Sequence, residues 1–402
     1  MFGEAHPSSW VVPQESPLKV RNKRANLQIG VPKETYRDES RVPLTPEAVS
    51  VLTANGHTVY VEKDAGKGSS YSDKTYSDAG AFICFSCAEI YQKSDFIIKV
   101  SPLSNDELGY LRQGQRLFSA VNLGGMTPDY LKVLLSKSIT AMGFEFLQSA
   151  DGSLPIVQMM SEIAGVSSVH IASELLCGTN GGQGLLLGGI SGVPPAVVTI
   201  IGAGTVGFNA AKTAISMGAM VKVIDLEVGK LRRLERELGV NIWTAVSLNK
   251  YVEEAVASSD VVIGAAFARD ARTPVIVTED MVMSMKEGSV IVDVAIDQGG
   301  CIETSRVTSH ERPTFEKHGV IHYCVPNIAS RVARTASAAI SNIVGQILLK
   351  IGDYGGIEAV IKFDEGIRKS IFAYRKHLTK QSLSSIFGMD SMDIDLLVAS
   401  DI

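Results

Sequence analysis

Cysteine is scarce in this 402-residue chain, which holds only five. An odd, sparse set argues against a disulfide framework and for a reducing compartment. Cys84-Phe85-Ser86-Cys87 has C-x-x-C spacing, but it lacks a second pair nearby and a thioredoxin-like βαβ context. These read as buried or incidental thiols. Charge is neither abundant nor one-sided: charged residues make up 20% and the net charge is −5. That leaves no basic footprint for nucleic acid or anionic lipid. Residues 1–27 contain no apolar core segment and no small-residue cleavage pattern, so they read as an N-terminal extension rather than a secretory signal. Long apolar runs are missing too. The stretch Leu175 to Ala211 carries no formal charge or histidine, but it holds ten glycines and Pro194-Pro195. It is too broken to cross a bilayer and reads as buried loop and strand. No membrane association and no metal site are expected, and the cytoplasm is the expected location. Histidine is absent between His57 and His170.

What is present is the alternation of an α/β protein. The length is too great for one ordinary core, so two domains are expected, and 45% apolar content is normal for a soluble globular protein. LQIGVP reads as a strand stopped by Pro32. Thr45-Pro46 then opens a helix that ends at Gly56, and HTVYVEK is an alternating strand. DFIIKV, RLFSAVNLGG and ITAMGFEFLQ follow as strands, separated by helical segments over 105–114 and 127–138. Residues 157–178 read as one long helix. A second series begins at Ala196, with strands VVTIIGAG, MVKVID, NIWTAV, VVIGAAF, SVIVDVAID and VIHYCVPN. A helical run over 330–352 and a helical tail close the chain. Strands alternating with helices imply parallel sheets.

The strongest local signal is VVTIIGAGTVGFNAAKTAISMGAMVKVID. Gly202, Gly204 and Gly207 form G-x-G-x-x-G between an apolar strand and a helix. The first glycine permits the tight turn, the second lets backbone approach a pyrophosphate, and the third allows helix against strand. Asp225 ends the next strand, 18 residues after Gly207. A carboxylate there accepts hydrogen bonds from ribose hydroxyls and repels a 2′-phosphate, which favours NAD over NADP.

In an open α/β sheet, ligands bind beyond the carboxyl ends of the strands. Arg41 follows the first strand and suits a bidentate carboxylate contact. Lys99 sits in the apolar run DFIIKV, either as a functional cation or as a lysine at an exposed strand end. Asp297 closes SVIVDVAID before Gln298-Gly299-Gly300, and Asp293 in the same run competes with it. LFSAVNLGG, 117–125, reads as a buried strand running into a glycine turn that presents Asn122, an amide that cannot exchange a proton near neutral pH.

Together IGVPKETYRDESRVPLTP, the lysine of IIKV, ADGSLPIVQMMSEIAG, VIVDVAIDQGGCIETSRVTSHERPTF and HYCVPNIASRVARTAS make the chain resemble the alanine dehydrogenase and transhydrogenase NAD(H)-binding family. The likeness runs from about Gln28 to Ile351 in a single order. It implies two Rossmann-like doubly wound domains, with an NAD-binding domain (158–333) inserted into a discontinuous substrate domain (28–157 and 334–402). It implies NAD-dependent interconversion of L-alanine with pyruvate and ammonia, usually in a homohexamer. By position in the motifs, Arg41 and Lys99 look like the family's substrate-binding cations, and Asp297 like its proton-handling acid. Ser161, Gly202, Gly204, Thr205, Val206, Gly207, Asp225, Lys230, Ser247, Ala266, Phe267, Arg306, Val325, Asn327 and Ile328 look like its cofactor-binding positions. Lys230 and Ser247 are equally readable as an ordinary helical lysine and loop serine.

One position departs from the family. Where its pattern has an acid–base histidine, this chain has Asn122, which keeps hydrogen bonding to a substrate oxygen but not proton transfer. Three alternatives therefore stand beside alanine dehydrogenase: a related amino- or imino-acid dehydrogenase of the opine type, a catalytically weakened NAD-binding regulatory protein, and the NAD(H)-binding component of a transhydrogenase. The last is disfavoured because IDQGG with CVPN follows the dehydrogenase form.

Overall fold

The central strands of both sheets are buried along all but their first residues, as strands covered by helices on two faces must be. The computed structural model describes residues 24–122, 126–267 and 272–400. Most of the N-terminal extension and Leu123–Gly125 lie outside these residues. The first sheet holds β1 (Gln28–Val31), β2 (Thr58–Glu62), β3 (Phe82–Cys84), β4 (Phe96–Ile98), β5 (Arg116–Ser119) and β6 (Thr140–Gly143). The second holds β7 (Val197–Ile201), β8 (Met220–Asp225), β9 (Trp243–Val246), β10 (Val261–Gly264), β11 (Val290–Asp293), β12 (Thr314–Lys317) and β13 (Val320–Tyr323). The chain then returns to the first sheet with β14 (Ile371–Tyr374) and β15 (His377–Leu378).

The strand orders are β15-β14-β6-β5-β4-β1-β2-β3 and β12-β13-β11-β10-β7-β8-β9. Each sheet is doubly wound, and its strand order reverses between β1 and β4 in one and between β7 and β10 in the other. Those switch points are where crevices open beyond the strand ends. The helix Pro155–Leu175 connects the two units. A Cβ on its Gly165 would stand 2.4 Å from the Val206 carbonyl oxygen, so only glycine admits the helix Thr205–Ser216 at this distance. The helix Ala333–Asp353 is apolar and long enough to cross a membrane, but Ile340, Val344, Leu348 and Ile351 bury one of its faces in the core of the first unit.

Several details differ from the sequence reading. The tail is not wholly helical: β14 pairs antiparallel with β6, and β14 turns into β15 through Arg375 and Lys376, both at positive φ (49° and 66°). Arg-Lys gives none of the Asn-Gly signal that usually marks such a hairpin. The strand expected through Asp297 stops at Asp293, and residues Val294–Gln298 form a 3-10 turn. The glycine-rich stretch is not all buried. Leu186, Ile190 and Val193 are 65%, 66% and 53% exposed on a loop whose φ-positive glycines prevent a regular strand. The helices Asp73–Asp78 and Cys87–Lys93 with β3 between them, and the helix Asn249–Ala257, carried too few apolar repeats to be read. Cys84 and Cys87 sit in that first region as free thiols.

Candidate functional site

Arg41 and Lys99 arrive at one place because they follow β1 and β4, the two strands that flank the first switch point. Neither is a loose surface cation. The Arg41 guanidinium donates to both oxygens of Glu39, Nε to Oε1 at 2.7 Å and Nη2 to Oε2 at 2.6 Å. Its Nη1 faces the Met160 sulfur at 3.4 Å. Burial pushes Glu39 up, but the Arg41 fork and the Asn327 amide outweigh it and hold the carboxyl below its usual range. Lys99 is 1% exposed and is no strand-end lysine: Nζ is 2.6 Å from Glu107 and 3.4 Å from Glu34. Burial opposes its charge, yet the two carboxylates more than offset that and keep it protonated.

These glutamates were missed in the sequence. Glu34 and Glu39 lie in the polar run KETYRDES, which is indistinguishable from a solvated loop. Glu107 was partly visible as the fourth residue of Ser104-Asn105-Asp106-Glu107, a capping box in which Glu107 accepts the Ser104 N–H at 2.8 Å. Glu145 was missed as well. It accepts the Val121 N–H at 2.9 Å and the Asn122 N–H at 3.2 Å, and burial raises its pKa against those bonds. Those bonds hold the backbone at Asn122, which stands exposed in the left-handed region at φ 43°, a conformation that asparagine tolerates better than most residues.

Asp293 and Asp297 differ in placement. Asp293 is 1% exposed and accepts the N–H groups of Ala295 and Cys301 at 3.1 and 3.2 Å, so it ties together the turn behind the strand; burial pushes it up to about 6. Asp297 faces water but is ringed by protein, as a group lining a cleft is. Desolvation by those walls raises its pKa, while the Asn327 N–H and the nearby Arg41 charge pull it down. Asn327 is the joint between the units. Its N–H donates to Asp297 Oδ1 at 3.1 Å, and its side-chain amide donates to Glu39 Oε2 at 3.0 Å. It too is left-handed, at φ 56°. His310, another residue the sequence did not single out, lies with Nε2 3.4 Å from the Asn327 carbonyl oxygen.

At the second switch point the glycine loop has the shape a pyrophosphate requires. Gly202 is at φ 113°, and a Cβ there would lie 2.5 Å from the Ala265 carbonyl oxygen. At Gly207 a Cβ would lie 1.8 Å from the Gly202 carbonyl oxygen, whereas at Gly204 it would meet open space beside the helix N-terminus. Gly204 therefore lines a cradle and Gly207 closes the packing behind it. Asp225 braces the loop by accepting the Ala203 N–H at 2.7 Å and the Glu227 N–H at 2.8 Å. The Ser247 N–H donates to the Asp225 carbonyl at 3.1 Å, which places Ser247 at the same strand end. Thr205 and Val206 begin the helix behind the loop, and Ala266 and Phe267 follow β10 beside it. Val325 and Ile328 are buried next to Asn327, and Ser161 lies on the connecting helix next to Met160. Two of the expected cofactor residues are engaged elsewhere: Lys230 pairs with Glu227 at 2.6 Å, and the Arg306 guanidinium lies 4.1 Å from the Phe315 ring centre.

Residues 30–164 match the model of the alanine dehydrogenase/PNT N-terminal domain, and residues 168–381 that of the C-terminal domain. The chain belongs to the alanine dehydrogenase/PNT family. It is 44% identical over 337 residues to the alanine dehydrogenase of Methanococcus maripaludis, covering 84% of this chain and 90% of that one. It is 39% identical to that of Mycolicibacterium smegmatis, covering 91% and 98%. A solved L-alanine dehydrogenase superposes with a TM-score of 0.84 at 36% identity, covering 90% of this chain and 99% of that one. A transhydrogenase from Sinorhizobium meliloti shares the fold at TM-score 0.75 and 24% identity, covering 87% and 99%. Members of the alanine dehydrogenase/PNT family are NAD-dependent oxidoreductases built as this chain is, from two Rossmann-like units.

Proposed function

We propose that this chain is an NAD-dependent alanine dehydrogenase that catalyses L-alanine + NAD⁺ + H₂O ⇌ pyruvate + NH₄⁺ + NADH + H⁺. The observation that carries the reading is the network Arg41–Glu39–Asn327–Asp297, which joins the substrate cation at one switch point to an acid in the turn after β11. The substrate unit comprises 28–157 and 334–402, and the NAD unit 158–333. The glycine cradle receives the pyrophosphate, and Asp225, unable to tolerate a 2′-phosphate beside it, selects NAD. Bound there, the cofactor supplies hydride acceptance and donation.

The chain's own groups do the rest. Arg41 and Lys99 hold the substrate carboxylate and present Cα. Asp297 takes a proton from the water that adds to the imine carbon, then returns one to the departing ammonia. Asn122 donates to the substrate oxygen without exchanging a proton. Oxidation of NADH on mixing with pyruvate and ammonium is the expected result; tight NADH binding without turnover would instead favour a regulatory protein. Asn122→His restores a titrating group at a position whose left-handed backbone accepts histidine. It should raise turnover, toward the lower end of the ~10²–10⁴ that a positioned acid–base supplies. A loss would mean that the pocket is organised around the amide.

Self-association as a homohexamer is part of the same proposal. The exposed Leu186, Ile190 and Val193 on a chargeless loop support it, and light scattering on the purified protein reads the subunit number directly. The cysteines are all free, which supports a reducing compartment such as the cytoplasm.

A further inference from the structure

Five carboxyl groups crowd the two cations of the substrate pocket. Glu34 and Glu107 pair with Lys99, Glu39 pairs with Arg41, and Glu145 and Asp297 lie within the field of Arg41. A 2-oxo acid brings a further negative charge into this corner, whereas zwitterionic alanine brings its own ammonium. We propose that Glu34 takes up a proton from solvent when the anionic 2-oxo acid binds, releasing Lys99 to the incoming carboxylate, and that alanine binds without this uptake. The inference rests on the reading above, in which Arg41 and Lys99 hold the substrate carboxylate.

The geometry singles out Glu34 among the five. Glu107 is locked, with Lys99 at 2.6 Å, the Ser104 N–H at 2.8 Å and the Tyr91 hydroxyl at 3.4 Å. Glu39 is committed to the Arg41 fork, and Glu145 to the backbone of Val121 and Asn122. Asp297 is reserved for the reacting carbon.

Glu34 has two unlike oxygens. Oε1 accepts the Val100 N–H at 2.6 Å, while Oε2 has only long contacts, to Lys99 Nζ at 3.4 Å and to the Ser101 N–H at 3.4 Å. A proton added to Oε2 leaves the strong Val100 bond in place on Oε1. It converts a carboxylate to a neutral acid and removes one of the two counter-charges on Lys99. The charged and titratable groups facing Glu34 are Lys99, Glu39, Glu107, Arg41 and Tyr91. Burial drives its pKa up to about 7 against the pull of Lys99, and Glu39 and Glu107 add to the rise, so the proton is available near neutrality.

Calorimetric titration of pyruvate into enzyme with NADH, repeated at pH 8 in buffers of different ionisation enthalpy, counts the protons. Uptake approaching about one proton per site is expected, and pyruvate affinity should fall about tenfold per pH unit above neutrality. Titration of alanine into enzyme with NADH, a pair that cannot react, should show no such uptake. In Glu34→Gln, with NADH binding intact as a check on folding, the proton uptake on pyruvate binding and the affinity slope should both disappear. The infrared carbonyl band of a protonated carboxyl should appear on pyruvate binding to the unaltered protein and persist in Asp297→Asn. This readout needs no Glu34 variant to fold. An active enzyme that binds pyruvate with no proton uptake and no new band, or a folded Glu34→Gln that keeps the uptake, overturns the proposal. Absence of turnover with pyruvate and ammonium would instead overturn the functional reading beneath it.

Discussion

Asp297→Asn should reduce turnover of pyruvate, ammonium and NADH by roughly 10²–10⁴-fold while leaving NADH binding unchanged. The substitution isolates proton transfer because the bond Asp297 makes survives it. The Asn327 N–H donates to Oδ1 at 3.1 Å, and an amide oxygen can still accept that bond, though more weakly than a carboxylate. What is lost is the capacity to take and return a proton at the reacting carbon, together with a charge facing Arg41. Among the described residues no imidazole stands at Asn122 to take over, so the effect should be larger than in a site with a second acid–base group at the reacting carbon. Stopped-flow NADH oxidation with saturating ammonium separates the chemical step from binding. A variant that keeps more than about a tenth of the turnover would remove Asp297 from the role of proton carrier. The pH profile gives a second reading: the rise set by the Asp297 carboxyl, itself lifted by the cleft walls, should vanish in the variant.

The sequence was most readable where chemistry coincided with periodicity. Gly202 and Gly207 are legible because each answers a backbone requirement of one βαβ unit, and a Cβ at either would collide with a carbonyl oxygen; Asp225 is legible as the acid that ends the next strand, but not its bonds to the Ala203 and Glu227 N–H groups. Arg41 and Lys99 could be named, but not their surroundings. Lys99 lies in an apolar run whose character does not distinguish a buried lysine from one at a strand end. The glutamates that hold it come from 65 residues before it (99 − 34) and 8 after it (107 − 99); the adjacency of β1 and β4 brings the first, and the capped helix Asn105–Tyr110 brings the second. Asp293 and Asp297 look alike in sequence, since nothing in VDVAIDQ announces that the strand ends at the first and that a tight turn carries the second to an exposed position. Asn327 likewise gave no hint of its bond to Glu39, made 288 residues away in the other unit.

Lys99→Met should destabilise the protein by about 3–5 kcal/mol, as removal of one partner from a buried ion pair does, and should raise the KM for pyruvate. The lysine and both of its glutamates are almost wholly buried, with side chains 1%, 4% and 3% exposed, so little water is available to screen the charges left behind. The deficit should depend on pH. Glu34 already titrates near 7 with Lys99 beside it, and losing that cation moves it higher still. A carboxyl whose pKa is raised on folding contributes stability below its ordinary pKa and loses it as the pH rises through the folded one. The variant should therefore approach the parent at mildly acidic pH, where Glu34 is neutral, and fall away from it progressively above pH 7. Pairing the change with Glu107→Gln should recover part of the loss, because the second uncompensated charge is then removed as well. Urea unfolding across pH 5 to 9 distinguishes this from a packing defect. A deficit that is flat with pH, or untouched by Glu107→Gln, would mean that methionine simply fits the space badly and that the lysine's charge is not what the two glutamates hold in place.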